Sequence, residues 1–171
     1  MTKLIISILI SISVATLDTS VYAQGNLSLG TVNTPDGVTM VVINNNGEQI
    51  TLQALETSAQ LPVGRYRIDN WTTDRTDEDG GIWKLTGNSF GKKGVFYIIE
   101  GQEVKLSVGE PIVPSLTVSK ATSTYRLSHR LTGQLSETVE ITKNGSRPDA
   151  PKLQITNAEN SYQETLAFEY G

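Results

Sequence analysis

The chain has 171 residues, with 14 Lys and Arg against 18 Asp and Glu, and no cysteine. The missing thiol excludes disulfide staples, thiol catalysis and cysteine-held metals. A net charge of −4 has the wrong sign for binding nucleic acid or an anionic membrane surface.

The first segment reads Met1-Thr2-Lys3, then an apolar stretch from Leu4 to about Leu17, then a polar stretch ending Val21-Tyr22-Ala23. That is the layout of a secretory signal, with cleavage expected after Ala23. A run of about 14 apolar residues, broken by Ser7, Ser11 and Ser13, falls short of the roughly 20 a spanning helix needs. The expected mature chain therefore starts at Gln24. It is secreted or periplasmic and keeps no membrane span.

From there the pattern is period two. Thr39 to Asn44 reads as a strand that meets a hairpin turn at Asn44-Asn45-Asn46-Gly47. Gln49 to Leu55 returns with Ile50 and Leu52 on one face. Pro62-Val63-Gly64 turns into a strand from Arg65 to Trp71, with Tyr66 and Ile68 on one side. After the acidic stretch Asp74 to Gly81 come strands at Ile82 to Thr86, Val95 to Ile99 and Val104 to Val108, with a loop at Asn88 to Gly94. Pro111 and Pro114 cannot join a central ladder. They set an internal boundary between 24–110 and 111–171, which form two small lobes or one continuous sandwich. Strands follow at Ser115 to Lys120, Thr124 to Thr132, Glu137 to Thr142, Lys152 to Thr156 and Tyr162 to Tyr170. About ten strands and no sustained helical period predict an all-β fold, an antiparallel β-sandwich behind a signal-peptide helix.

Leu61-Pro62-Val63-Gly64-Arg65-Tyr66-Arg67-Ile68 resembles the strand entry of prealbumin-like domains, the group that includes carboxypeptidase-regulatory and Cna-B-type modules. The resemblance implies a sandwich with an aromatic plugging the core where the strand starts. The stretch from Arg147, with Pro151 to Ile155 and the ending Phe168-Glu169-Tyr170-Gly171, is similar to endings of secreted β-proteins of environmental bacteria. That implies a fold and a compartment and no activity. Leu166, Phe168 and Tyr170 also resemble the last strand of chaperone–usher pilins, though pilins usually carry a cysteine pair.

Candidate chemistry is sparse. Asp74, Asp77 and Asp79 lie in an Asp/Gly-rich loop that could offer oxygens to Ca²⁺. An EF-hand register fails, with Arg75 first and Thr86 twelfth, and turn chemistry explains the same residues. A regular strand would point Trp71 away from Tyr66 and Ile68. There, with Trp83, it would make a sugar-stacking platform; burial of the tryptophans is the favoured assignment. His129, the only histidine, shares a face with Tyr125, Leu127 and Leu131 and is expected at the core margin. The pairs Glu137/Glu140 and Glu100/Glu103 have glycosidase-like composition, with solvated strand edges as the simpler reading. Asn26, Asn70 and Asn144 sit in glycosylation sequons. The expected function is a non-enzymatic module for binding, adhesion or envelope structure, with an envelope protein or extracellular glycan as partner. The alternative is a carbohydrate-binding or regulatory accessory, calcium-assisted at Asp74–Gly81.

Overall fold

Apolar residues two apart recur through the chain, and most such sets land on one buried face, as half-buried strands require. The computed structural model describes residues 28–169. The expected signal helix, the Asn26 sequon and Tyr170 lie outside them. Thirteen strands form among the described residues. They are β1 (Leu29–Asn33), β2 (Thr39–Asn44), β3 (Gln49–Leu52), β4 (Ser58–Pro62), β5 (Gly64–Thr76), β6 (Ile82–Asn88) and β7 (Val95–Ile98). The rest are β8 (Glu103–Lys105), β9 (Val113–Ala121), β10 (Thr124–Thr132), β11 (Thr138–Lys143), β12 (Lys152–Thr156) and β13 (Gln163–Ala167). The segment expected as loop before β7 holds a 3₁₀ turn, Gly91–Gly94. Strands β1 and β4 had no clear signal in the sequence.

The fold is an all-β sandwich, antiparallel except where β1 runs parallel to β8. The smaller sheet has the order β4-β1-β8, and the main sheet runs β3-β2-β5-β6-β11-β10-β9. Strand β5 is the spine of the main sheet. It pairs with β2 along one edge, and with β7 and then β6 along the other. Val32 and Leu61 of the smaller sheet join Met40, Val42, Tyr66, Ile68, Trp71, Leu85, Phe96 and Ile98 in one core. Tyr66, the aromatic of the Leu-Pro-x-Gly entry, is buried against Phe96 with ring centroids 5.6 Å apart. Its hydroxyl donates to the Pro62 carbonyl at 2.9 Å, which satisfies the polar end of a ring buried for its apolar body.

Strand β5 departs from strict alternation at one place. Val41 pairs with Asn70 but Val42 with Ile68, which leaves Asp69 as an extra residue. Such a bulge shifts the phase of every later side chain by one. Tyr66 and Ile68 point inward before it, Trp71 and Thr73 after it. This corrects the regular-strand geometry that would have turned Trp71 outward.

Strand β11 lies beside β6, so the main sheet takes strands from both sides of Pro111. The C-terminal part of the sheet differs from the rest. Strand β10 pairs with β9 over nine residue pairs but with β11 through Thr132↔Thr138 alone. The two therefore form a ribbon anchored at its base, about 30 Å long at ~3.3 Å per residue. The β12–β13 hairpin is a separate two-stranded sheet. It touches the ribbon where Phe168 meets His129 at 5.6 Å.

Candidate functional site

The acidic loop is organised around one carboxylate. A tight turn closes with the Gly80 N–H donating to the Asp77 carbonyl at 3.0 Å and the Asp77 N–H to the Gly81 carbonyl at 2.9 Å. Gly80 supplies the positive φ (+79) that this turn requires. Asp77 Oδ1 accepts the N–H groups of Gly81 at 2.6 Å and Asp79 at 3.2 Å. Its Oδ2 accepts Trp83 Nε1 at 2.8 Å and Lys143 Nζ at 2.8 Å. Four donors fill the acceptor positions a carboxylate has. The hydrogen bond from Lys143, then that from Trp83, holds its carboxyl well below the usual carboxylate range.

The Asp77 carboxylate is therefore already paired with Lys143, and both its oxygens are engaged within the protein. Asp74 lies on β5 opposite Lys84, and Asp79 is exposed and turned to Asp77 only through its backbone. Among the described residues, no three of His, Cys, Asp and Glu are grouped so as to hold a metal ion. Trp83 is half-buried, and the Lys143 ammonium sits 4.9 Å from its ring centroid. One face of this indole is thus occupied by a cation.

Trp71 is 0 % exposed, so it offers no face to a sugar. Its indole lies against Gly87, its cross-strand partner. A Cβ at Gly87 would meet Trp71 Nε1 at 2.2 Å, which only glycine avoids. Trp71 Nε1 donates to Glu137 Oε1 at 2.8 Å, and the Leu135 N–H donates to Glu137 Oε2 at 2.9 Å. Glu137 is also 0 % exposed. This overturns the solvated-edge reading of Glu137: both its oxygens are engaged inside the protein, as a buried carboxylate demands. The pair ties the β10–β11 turn to the spine of the main sheet. Sequence reasoning missed this role, and its one signal is a lone acid just before an apolar alternation.

The remaining acids do not converge. Glu140 is exposed on β11 and accepts Asn88 Nδ2 at 3.4 Å. An odd spacing of three along an extended chain sends it and Glu137 to opposite faces. Glu100 accepts the Ser28 hydroxyl at 2.9 Å and is exposed, as is Glu103. His129 is exposed rather than at the core margin, because the ribbon that carries it runs beyond the core. Asn144 is an anchor: its Oδ1 accepts the Ile82 N–H at 2.9 Å.

What stands out instead is the ribbon. Pro114, Leu116, Val118 and Lys120 of β9 face the same side as Leu131, His129, Leu127 and Tyr125 of β10, pair by pair. Leu116 is 46 %, Val118 55 % and Tyr125 63 % exposed. The β12–β13 hairpin covers part of this face, leaving an open groove of about 280 Å³ lined by Leu127, Leu153, Leu166 and Phe168. An isolated two-stranded ribbon is marginal in water, and exposed apolar clusters of this kind mark contact surfaces. The periodicity of β9 and β10 was legible in the sequence, but nothing there said that both strands would stand clear of the core.

Among the described residues no helix is long and apolar enough to cross a membrane. Compared with family models, with curated proteins and with solved structures, the chain matches none.

Proposed function

We propose that this chain is a non-enzymatic binding module of the periplasm or cell exterior that engages an envelope protein through the β9–β10 ribbon. The observation that carries the reading is the ribbon itself. It projects from a well-packed sandwich, with apolar residues on one face and, among the described residues, no strand along its outer edge. The secretory layout of 1–23 supports the compartment. The glycan alternative has less behind it: Trp71 is enclosed, and Trp83 has its N–H and one ring face engaged.

The test is capture of solubilised envelope proteins by the purified protein, beside its Leu116→Asp/Tyr125→Asp variant. A specific protein retained by the first and lost by the second supports the reading. Retention of glycan alone, abolished by EDTA or by Trp83→Ala, would replace it with a calcium-assisted carbohydrate module at the Asp74–Gly81 loop.

A further inference from the structure

Ala121 and Thr124 flank a turn of two residues, Thr122 and Ser123, with Thr122 at φ 52. The pair that closes such a turn exchanges both backbone hydrogen bonds, and bonded and non-bonded pairs then alternate along the ladder. The odd-numbered residues of β9 therefore bond to β10. The N–H and C=O groups of Leu116, Val118 and Lys120 face the outer edge, where no strand of the described residues lies. Pro114 fits the same parity, since the N–H it lacks would have pointed outward. From Ser115 to Ser119 this edge carries neither a proline nor a charge, the usual devices that blunt an exposed edge.

Charge is unevenly placed. Residues 113–132 hold Lys120, Arg126 and Arg130 and no acid, whereas the other residues hold 11 basic groups (14 less these 3) against all 18 acidic ones, a net −7. Arg130 is tied to the Thr138 hydroxyl at 2.7 Å. Arg126 is exposed and lies opposite Ser119, on a face of β9 lined by Ser115, Thr117 and Ser119. These side chains are too small to screen it from the edge.

We propose, resting on the protein-binding reading, that the outer edge of β9 takes an extended segment of a partner in which acidic and apolar residues alternate, adding it to the main sheet as a further strand. Backbone hydrogen bonds from Leu116, Val118 and Lys120 supply the affinity, and alternate side chains supply the selection. The partner's apolar residues extend the Leu116–Val118 face, and its acids lie on the side of Arg126. Complementary charge favours such a segment over a second copy of this ribbon, which would set two cationic strands pairs side by side.

The test is a titration of isotope-labelled protein with a synthetic peptide of alternating valine and glutamate as long as β9, beside its valine–lysine counterpart. Backbone amides are followed by NMR. The expected result is a shift and slowed exchange at Leu116, Val118 and Lys120, with the glutamate peptide bound roughly tenfold more tightly. Val118→Pro removes an outward N–H and part of the apolar face while sparing the hydrogen bonds to β10, so it should abolish binding while the fluorescence of buried Trp71 stays unchanged. Equal binding of both peptides, or shifts confined to other strands, would overturn the assignment. So would a doubled native mass with these amides already protected, which would make the occupant a second copy. Failure here with envelope-protein capture intact sinks the acidic-strand assignment alone, whereas loss of both sinks the protein-binding reading with it.

Discussion

The body of the sandwich and the β9–β10 ribbon use the same alternation to opposite ends. In β2 and β5 the inward residues Met40, Val42, Ile68 and Trp71 share one core with Val32 and Leu61 of the smaller sheet and are shut away from water. In β9 and β10 the equally regular residues Leu116, Val118 and Tyr125 meet no second layer and stay half exposed or more. Period two specifies a strand with an apolar face, but not what lies over that face. In the body the cover is intramolecular. On the ribbon it is left to the short β12–β13 hairpin, and the rest is open.

The difference is tested hardest at Trp71. Trp71→Ala removes the largest fully enclosed side chain and leaves Glu137 buried without its indole donor. A large-to-small change of this kind costs about 3–5 kcal/mol. Urea denaturation followed by far-ultraviolet circular dichroism should show that loss. A change under about 1 kcal/mol would mean that the body packs as loosely as the ribbon.

Glu137→Gln probes the joint between the two regions. The amide keeps one acceptor for Trp71 Nε1 but turns a donor toward the Leu135 N–H, or the reverse. Leaving one buried group unsatisfied costs about 1–3 kcal/mol. Trp fluorescence should report a lower denaturation midpoint together with a red-shifted emission. A shift without destabilisation would mean that water reaches the β10–β11 turn.

Much of the fold was legible in the sequence, and the reasons it stopped where it did are local. Strands β10 and β12 match the hydropathy pattern end to end, because their alternation is bounded by turn residues on both sides. Strand β5 runs on to Thr76, past the expected end at Trp71, because Asp74-Arg75-Thr76 carry the composition of a loop; the bulge at Asp69 reversed only the expected direction of Trp71. Strands β1 and β4 are short, with single buried residues such as Val32 and Leu61 too sparse to declare a period. The candidate site was less legible. Asp77 was singled out for its acid neighbours, but its role follows from Lys143 and Trp83, which reach it from β11 and β6. Exposure of Leu116 and Val118 depends on which strands lie nearby in space, and one-dimensional alternation does not encode that.

The Asp77 cluster gives a pH prediction with a definite sign. Its folded pKa lies below the ordinary 3.8, chiefly through the Lys143 hydrogen bond. Stabilisation by its charge is thus complete above about pH 5 and is lost progressively as pH falls through 3.8 toward the folded value. The Trp83 indole N–H resonance should hold its shift down to about pH 4 and move only on further acidification. Asp77→Asn should remove that late transition. A midpoint at or above 3.8 would mean that Lys143 and Trp83 do not hold the carboxylate in solution.

The smallest effect is expected on the ribbon, and its smallness is the informative part. Val118 sits on an edge strand at 55 % exposure, paired to Leu127 on one side and, among the described residues, to no strand on the other. Val118→Ser removes little buried area and opens no cavity, so it should move the global stability of dilute protein by no more than about 0.5 kcal/mol. The same change at Val42, 0 % exposed, would remove a core side chain and bury an added hydroxyl. If Val118→Ser lowered the Trp71 unfolding midpoint as Val42→Ser does, the ribbon would belong to the cooperative unit of the sandwich and its apolar face would serve the fold. If the midpoint stays while exchange of the β9 amides quickens, the ribbon is held by its own ladder, by its base at Thr132 and Arg130, and by the Phe168 contact. Its side chains are then free to be chosen by something outside the chain.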